Sequence, residues 1–362
     1  MRKIGIFTFH NADNYGAVLQ CYALHRYINK FLKCDVIDYR NSSIDLMSSY
    51  KRYYKKYSNI FGFMMSIYMK STFEKRRKIF DDFRKKYLGI DEMQRIRKED
   101  LKTLNNFYDI FMTGSDQVWN LNLTENDMTY FLDFVENKNE RYSYAASIGD
   151  ADAVKLTSEY IDEMMKFNKI SVRELSTVEF LKNNYQIYSE NNIDPVFLLT
   201  KEDWDSIAEN YEQTGYLLYF VNGRCDKNTY YIVKKIANKK NLKIYYMANE
   251  DRKYQYLYLK HLTKISPMKL ISIIKNAKFI VTDSFHVTAF SLIYEKEFLY
   301  DDRGFYNRRV IDLLEFLEVG GRLVSDFKDF NFLQRVDWET VRRKIEKARV
   351  KADTYFREVA RK

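Results

Sequence analysis

The sequence predicts an α/β protein built as two doubly wound sheets, with a helical insertion in the first. Short apolar stretches that end in small or polar residues alternate with segments of helical apolar spacing, and this alternation carries the prediction. It is broken once by a stretch rich in Tyr, Phe, Lys and Arg, and it lapses once near Pro195 before a second set begins. At 362 residues the chain also exceeds what a single core usually serves, so two domains are expected.

Ile4 to Thr8 reads as a strand, His10 to Tyr15 as a polar turn, and Ala17 to Phe31 as a helix that Asn14 can cap. Asp35 to Tyr39 is the next strand. The insertion spans about residues 41–105, with helical spacing clearest over Thr72 to Tyr87. Strands resume at Tyr108 to Thr113, Tyr142 to Ser147 and Lys169 to Arg173. The pattern fails across Ser189-Glu190-Asn191-Asn192-Ile193-Asp194-Pro195, which divides a lobe of residues 1–190 from one of residues 191–335. In the second lobe the strands are Tyr216 to Val221, Lys243 to Met247 and Phe279 to Thr282. Its helices are Asn228 to Lys239, Ser266 to Asn276 and Val287 to Tyr294. Residues 336–362 close the chain with a charged amphipathic helix, Trp338 to Arg361, expected to return to the first lobe.

Composition removes several classes. With 46% apolar and 30% charged residues, 2 Pro and 11 Gly, the chain is neither disordered nor collagen-like. The apolar run Ile60 to Met69 falls short of the roughly 20 residues that cross a bilayer, and the run after Arg2 and Lys3 is too short for a secretory leader. A cytoplasmic protein is therefore expected. Cys21, Cys34 and Cys225 are too scattered for a disulfide framework or a zinc knuckle, and no metal is expected. The net charge is +10, and residues 51–86 alone carry +9 of it, from twelve basic and three acidic residues. No zinc-finger, basic-zipper or RNP-like pattern accompanies that charge, so a nucleic-acid partner is not expected. Mixed with Tyr53, Tyr54, Tyr57, Phe61, Phe63, Met64, Met65 and Tyr68, it suits either a solvated helical face or peripheral docking on the anionic inner face of a membrane.

In open α/β sheets ligands settle beyond the carboxyl ends of strands, near helix N-termini. His10 and His286 occupy such strand-end positions, and His286 has Asp283 and Ser284 beside it. An imidazole there can exchange a proton near neutrality or simply bond a neighbouring carbonyl. Arg173 ends an apolar strand and needs an anion, either a carboxylate such as Glu174 or Asp194 or a ligand phosphate or carboxylate. Gly114-Ser115-Asp116-Gln117-Val118-Trp119-Asn120 suits carbohydrate, with Gln117, Trp119 and Asn120 as acceptor contacts; a capped turn over a core tryptophan would read the same. Walker-type, G-x-G-x-x-G, G-x-S-x-G and H-E-x-x-H motifs are absent, which leaves anion and polyol chemistry.

Taken in order, Thr8-Phe9-His10 with Asn14 to Gln20, Gly114 to Asn120, Tyr144 to Ser147, Ile170 to Glu174, Asp194-Pro195, Thr282 to Phe290 and Asn307 to Leu314 resemble the polysaccharide pyruvyltransferases. The resemblance implies two Rossmann-like lobes in a GT-B-like arrangement with the active site in the cleft between them. It also implies phosphoenolpyruvate as donor substrate, with no separate cofactor. Two hydroxyls of a sugar or lipid-linked glycan would attack the enolpyruvyl carbon, phosphate would leave, and a cyclic pyruvate ketal would remain. Within it His286 matches a histidine that protonates the donor or contacts its phosphate, and Arg173 an arginine that holds the donor. His10, Asn14, Ser284 and Arg309 complete the expected donor set. Asp116 is the base candidate on chemistry alone, with Asp283 in reserve. Members of the family often carry Arg where this chain has Ser284, and Arg308 or Arg309 could supply that cation. The competing readings are a GT-B glycosyltransferase using a nucleotide sugar and a non-catalytic glycan-binding relative.

Overall fold

The computed structural model describes residues 2–51, 60–91, 95–149, 155–222, 227–248, 260–262, 264–302, 308–327 and 335–361. Of the positions singled out above, Tyr53, Tyr54, Tyr57, Cys225 and Asn307 lie outside the described residues. The chain divides into two compact units, residues 1–198 with 347–362, and residues 199–346. Each unit is built on a parallel sheet, giving an α/β architecture of two Rossmann-like lobes, GT-B-like in layout, with a helical insertion in the first.

In the first unit the strands are β1 (Lys3–Phe7), β2 (Lys33–Val36), β3 (Ile110–Thr113) and β4 (Glu140–Ser143), in the order β2-β1-β3-β4. All pairs are parallel, with Ile4 opposite Cys34 on one side and Ile110 on the other. The pair β5 (Ser171–Val172) and β6 (Glu190–Asn191) continues the run through bridges of Tyr142 to Lys169 and Ala146 to Val172. Strand β4 stops short of the expected Ser147 because Ala145 takes φ +49°, which a regular strand cannot hold. Helix α1 (Tyr15–Ile28) connects β1 to β2, and Asn14 caps it by accepting from the amides of Gly16 at 2.9 Å and Ala17 at 3.3 Å. Gly114 lets α1 lie close, since a Cβ there would meet Leu24 at 2.9 Å and Thr8 at 3.0 Å.

The insertion contains α2 (Ile60–Phe83), which starts well before the expected Thr72 and runs on through a wide turn at Arg84–Leu88. Helix α3 (Leu175–Tyr185) follows β5. The first core is aromatic, with Phe7, Phe111, Phe131 and Phe134 among its buried members.

The second unit orders its strands β11-β10-β7-β8-β9, all parallel. They are β7 (Tyr216–Val221), β8 (Lys243–Ala248), β9 (Lys260–His261), β10 (Phe279–Thr282) and β11 (Phe298–Tyr300). Every residue of β7 and β10 is buried, as expected of parallel strands covered on both faces. The helices are α4 (Lys227–Lys239), α5 (Pro267–Asn276), α6 (Phe285–Ile293) and α7 (Arg308–Phe316). The last helix, α8 (Trp338–Arg361), begins in the second unit and finishes in the first. There Phe356 packs on Tyr144 at 4.7 Å and Phe31 at 5.9 Å between ring centres, and the Tyr355 hydroxyl donates to Ser143 O at 2.6 Å.

Candidate functional site

Strand order reverses between β1 and β3 in the first unit and between β7 and β10 in the second, and ligands of such sheets bind at these switch points. At the first, Thr8 Oγ1 donates to Ser115 O at 2.7 Å and accepts from Gln20 Nε2 at 2.9 Å, tying both strand ends together. His10 is buried, with Nδ1 3.1 Å from Thr8 O and Nε2 2.8 Å from Asp38 Oδ1. Arg40 grips the same carboxylate through two bonds of 2.9 Å. Burial alone would push the Asp38 carboxyl up, but hydrogen bonds from His10 and Arg40 and their charge outweigh it and hold it far below the usual range. His10 therefore lies in a charged network inside the unit, and Asn14 serves as the cap of α1.

The turn after β1 is also held from outside by the insertion. Arg84, only 3% exposed, donates from Nε to His10 O at 2.8 Å and from Nη2 to Asn11 O, Ala12 O and Asp13 Oδ1 at 2.8–2.9 Å. Arg76 Nη2 adds a bond to Asp13 O at 2.7 Å, and Arg77 Nη1 one to Asn11 O at 3.0 Å. Burial raises the Asp13 carboxyl, and Arg84 and Arg77 pull it back only in part. Nothing local in the sequence marks this clamp, which joins side chains and carbonyls over sixty residues apart.

Arg173 directly follows β5, its side chain 3% exposed and bound through Nε to Glu174 at 2.9 Å and through Nη1 to Asp194 at 2.8 Å. Burial opposes its charge, while Glu174, Asp194 and Asp116 favour it and keep the guanidinium protonated. Asp116 sits at φ +76°, its Oδ1 accepting from the Gln117 amide at 2.9 Å. Asn120 donates to Gln117 Oε1 at 3.0 Å, and Gly149 (φ +86°) presses against both, since a Cβ there would lie 2.5 Å from Asn120. Trp119 is fully buried, stacked on Phe131 at 5.6 Å and donating from Nε1 to Tyr130 O at 2.8 Å, so its faces serve the core.

At the second switch point Asp283 Oδ1 accepts from the Asn222 amide at 2.6 Å, joining the ends of β7 and β10. Ser284 caps α6, accepting from Val287 N at 3.4 Å while its own amide donates to Thr282 Oγ1 at 3.0 Å. His286 lies in the first turn of α6, half-buried, because Ser284 starts the helix earlier than the expected Val287. The early turn gathers an imidazole, a hydroxyl and the helix's leading amides, a combination suited to an anionic oxygen. Arg308 and Arg309 open α7, where Arg308 Nε pairs with Asp312 at 2.8 Å. Among the described residues no cluster of His, Cys, Asp and Glu has the makings of a metal site.

The sequence profile of the family described as polysaccharide pyruvyl transferase matches residues 14–300. The chain belongs to that family. No curated protein matches the sequence. Among solved structures, the UDP-N-acetylglucosamine 2-epimerase of Rickettsia bellii is similar at a TM-score of 0.55 and 11% identity, covering 98% of this chain and 96% of the other. The S. aureus MnaA–UDP co-structure is similar at 0.53 and 12%, covering 98% and 97%. The Neisseria meningitidis UDP-GlcNAc 2-epimerase bound to UDP-GlcNAc is similar at 0.52 and 10%, covering 99% and 94%. At such identities the likeness is one of fold.

These comparisons correct the donor expectation. These similar structures are of nucleotide-sugar epimerases and a UDP complex, not of phosphoenolpyruvate-dependent transferases, so ketal formation from phosphoenolpyruvate is set aside. Membership of the family indicates an enzyme with a glycan-related substrate.

Proposed function

We propose that this family member is a transferase of glycan assembly that uses a nucleoside-diphosphate sugar as donor and a glycan or lipid-linked glycan as acceptor. The observation that carries this reading is the second switch point, where β10 runs directly into the Ser284-capped α6. A diphosphate laid against that helix end meets leading amides, the Ser284 hydroxyl and the His286 imidazole, all of which favour charge as the leaving group departs. In the step itself an acceptor hydroxyl bonds to the anomeric carbon, the bond from that carbon to the phosphate oxygen breaks, and the nucleoside diphosphate leaves. The hydroxyl proton passes to a carboxylate, for which Asp283, at the same switch point, is the proposed base. A lipid-carried acceptor would bring the enzyme to a membrane surface.

Calorimetry with UDP, other nucleoside diphosphates and phosphoenolpyruvate tests the donor class. Saturable binding of a nucleotide, weakened in His286→Ala, is expected. Binding of phosphoenolpyruvate without any nucleotide response would overturn the reading. The likeness to epimerases favours a second possibility, inversion within the nucleotide sugar itself. Nuclear magnetic resonance of the products separates the two: transfer consumes donor only with acceptor present, whereas epimerisation converts the nucleotide sugar alone.

A further inference from the structure

Helix α2 has two different halves. Its later half is docked, with Phe80 and Phe83 buried and Arg76 and Arg77 bonded to the turn after β1. Its first half presents Ile60, Phe63, Met64 and Ile67 at 75%, 52%, 63% and 59% exposure. These positions fall at i, i+3, i+4 and i+7, so they form one stripe, flanked by exposed Phe61 and Tyr68. Gly62 and Ser66, on the opposite side, are buried. Further along the same outward face the side chains become Lys70, Lys75 and Lys78, all exposed, with Glu74 3.7 Å from Lys70. Apolar groups at one end and ammonium groups at the other make a continuous outward surface.

We propose that this face of α2 docks on an anionic lipid surface, with Ile60, Phe63, Met64 and Ile67 entering the acyl boundary and Lys70, Lys75 and Lys78 meeting the headgroups. Charge selects that occupant over a second copy of the chain. On this face Lys70, Lys75 and Lys78 outnumber Glu74, so pairing two copies through it would bring like charge against like, whereas an anionic leaflet neutralises it. The arginines that face the turn after β1 are already bonded there, which leaves the lysines and the apolar stripe to the membrane. This inference is independent of the donor assignment.

Vesicle flotation of the full chain tests it, comparing phosphatidylcholine with a phosphatidylglycerol/phosphatidylcholine mixture at low and high salt. Binding only to the anionic vesicles, weakened by salt, is expected. Changing Lys70, Lys75 and Lys78 together to Gln should lower the partition coefficient roughly 100-fold, at about fivefold per charge. The triple variant Phe63→Ser, Met64→Ser, Ile67→Ser should abolish flotation while its circular dichroism melt stays that of the wild type. Wild type that ignores both vesicle types overturns the proposal. So does a dimer in sedimentation velocity that the serine variant dissolves, because the face would then be covered by another copy. Equal binding to neutral vesicles, or unchanged binding by the lysine variant, overturns the electrostatic part.

Discussion

The two switch points use polar groups in different ways. In the first unit the chain ends of β1 and β5 are held by buried ion pairs: His10 and Arg40 on Asp38, Arg84 on Asp13, and Arg173 on Glu174 and Asp194. In the second unit the corresponding loop is organised through backbone amides, with Asp283 taking the amide of Asn222 and Ser284 that of Val287. A charge already neutralised by a buried partner has little left to offer a ligand, and separating the pair costs more than most ligands return. A helix start capped by serine still directs amide dipoles outward. The difference teaches that charged residues at strand ends mark rigidity in one lobe, while the neutral donors in the other support the proposed anion site.

The sharpest way to break that comparison is Arg84→Met. Removing the guanidinium leaves Asp13 with Arg77 alone and strands the carbonyls of His10 and Ala12, and a loss of ~3–5 kcal/mol in urea unfolding is expected. A loss under about 1 kcal/mol would show that the first switch point does not depend on its ion pairs. For the second, His286→Ala should reduce turnover by about 100-fold or more with an unchanged melting temperature. A large fall in stability with intact turnover would make the imidazole structural. Gly149→Ala probes the Gln117–Asn120 contact, since φ +86° and the 2.5 Å approach both oppose a side chain. It should cost ~1–3 kcal/mol, read by the same urea titration.

The smallest effect concerns acid. The folded Asp38 carboxyl lies below its unfolded value near 3.9, so its contribution to stability is present above about pH 4 and disappears as pH falls toward the folded value. Asp38→Asn should flatten the stability difference between pH 6 and pH 3 measured by denaturant titration. An unchanged slope would place the acid sensitivity elsewhere, for example at Asp127, whose carboxyl burial raises but hydrogen bonds from Tyr39, Asn41 and Lys98 lower further.

Much of the fold was legible because parallel strands announce themselves as unbroken apolar runs. Tyr216 to Val221 and Phe279 to Thr282 match β7 and β10 residue for residue, and the spacing of Val341, Ile345, Ala352, Phe356 and Val359 marked α8. The start of α2 was hidden because its first turns carry apolar side chains outward, against the amphipathic rule that locates helices. For the site, position was readable and partnership only in part. Strand-end placement drew notice to His10, Arg173 and His286, and Glu174 and Asp194, the carboxylates expected beside Arg173, are its partners, but the contact of His10 with Asp38 is one that no local pattern encodes. Trp119 shows the same limit, since an indole in a polar heptapeptide reads equally as a sugar platform or as a buried wedge.

Helix α8 has a consequence for synthesis. Residues 347–361 belong to the first unit, yet a ribosome makes them only after all of the second. Until then Tyr27, Phe31 and Tyr144 lack the ring of Phe356 that covers them. The first lobe must therefore wait, partly open, while its neighbour is translated, and a nascent chain of this protein presents sticky aromatic surface to chaperones for most of its elongation.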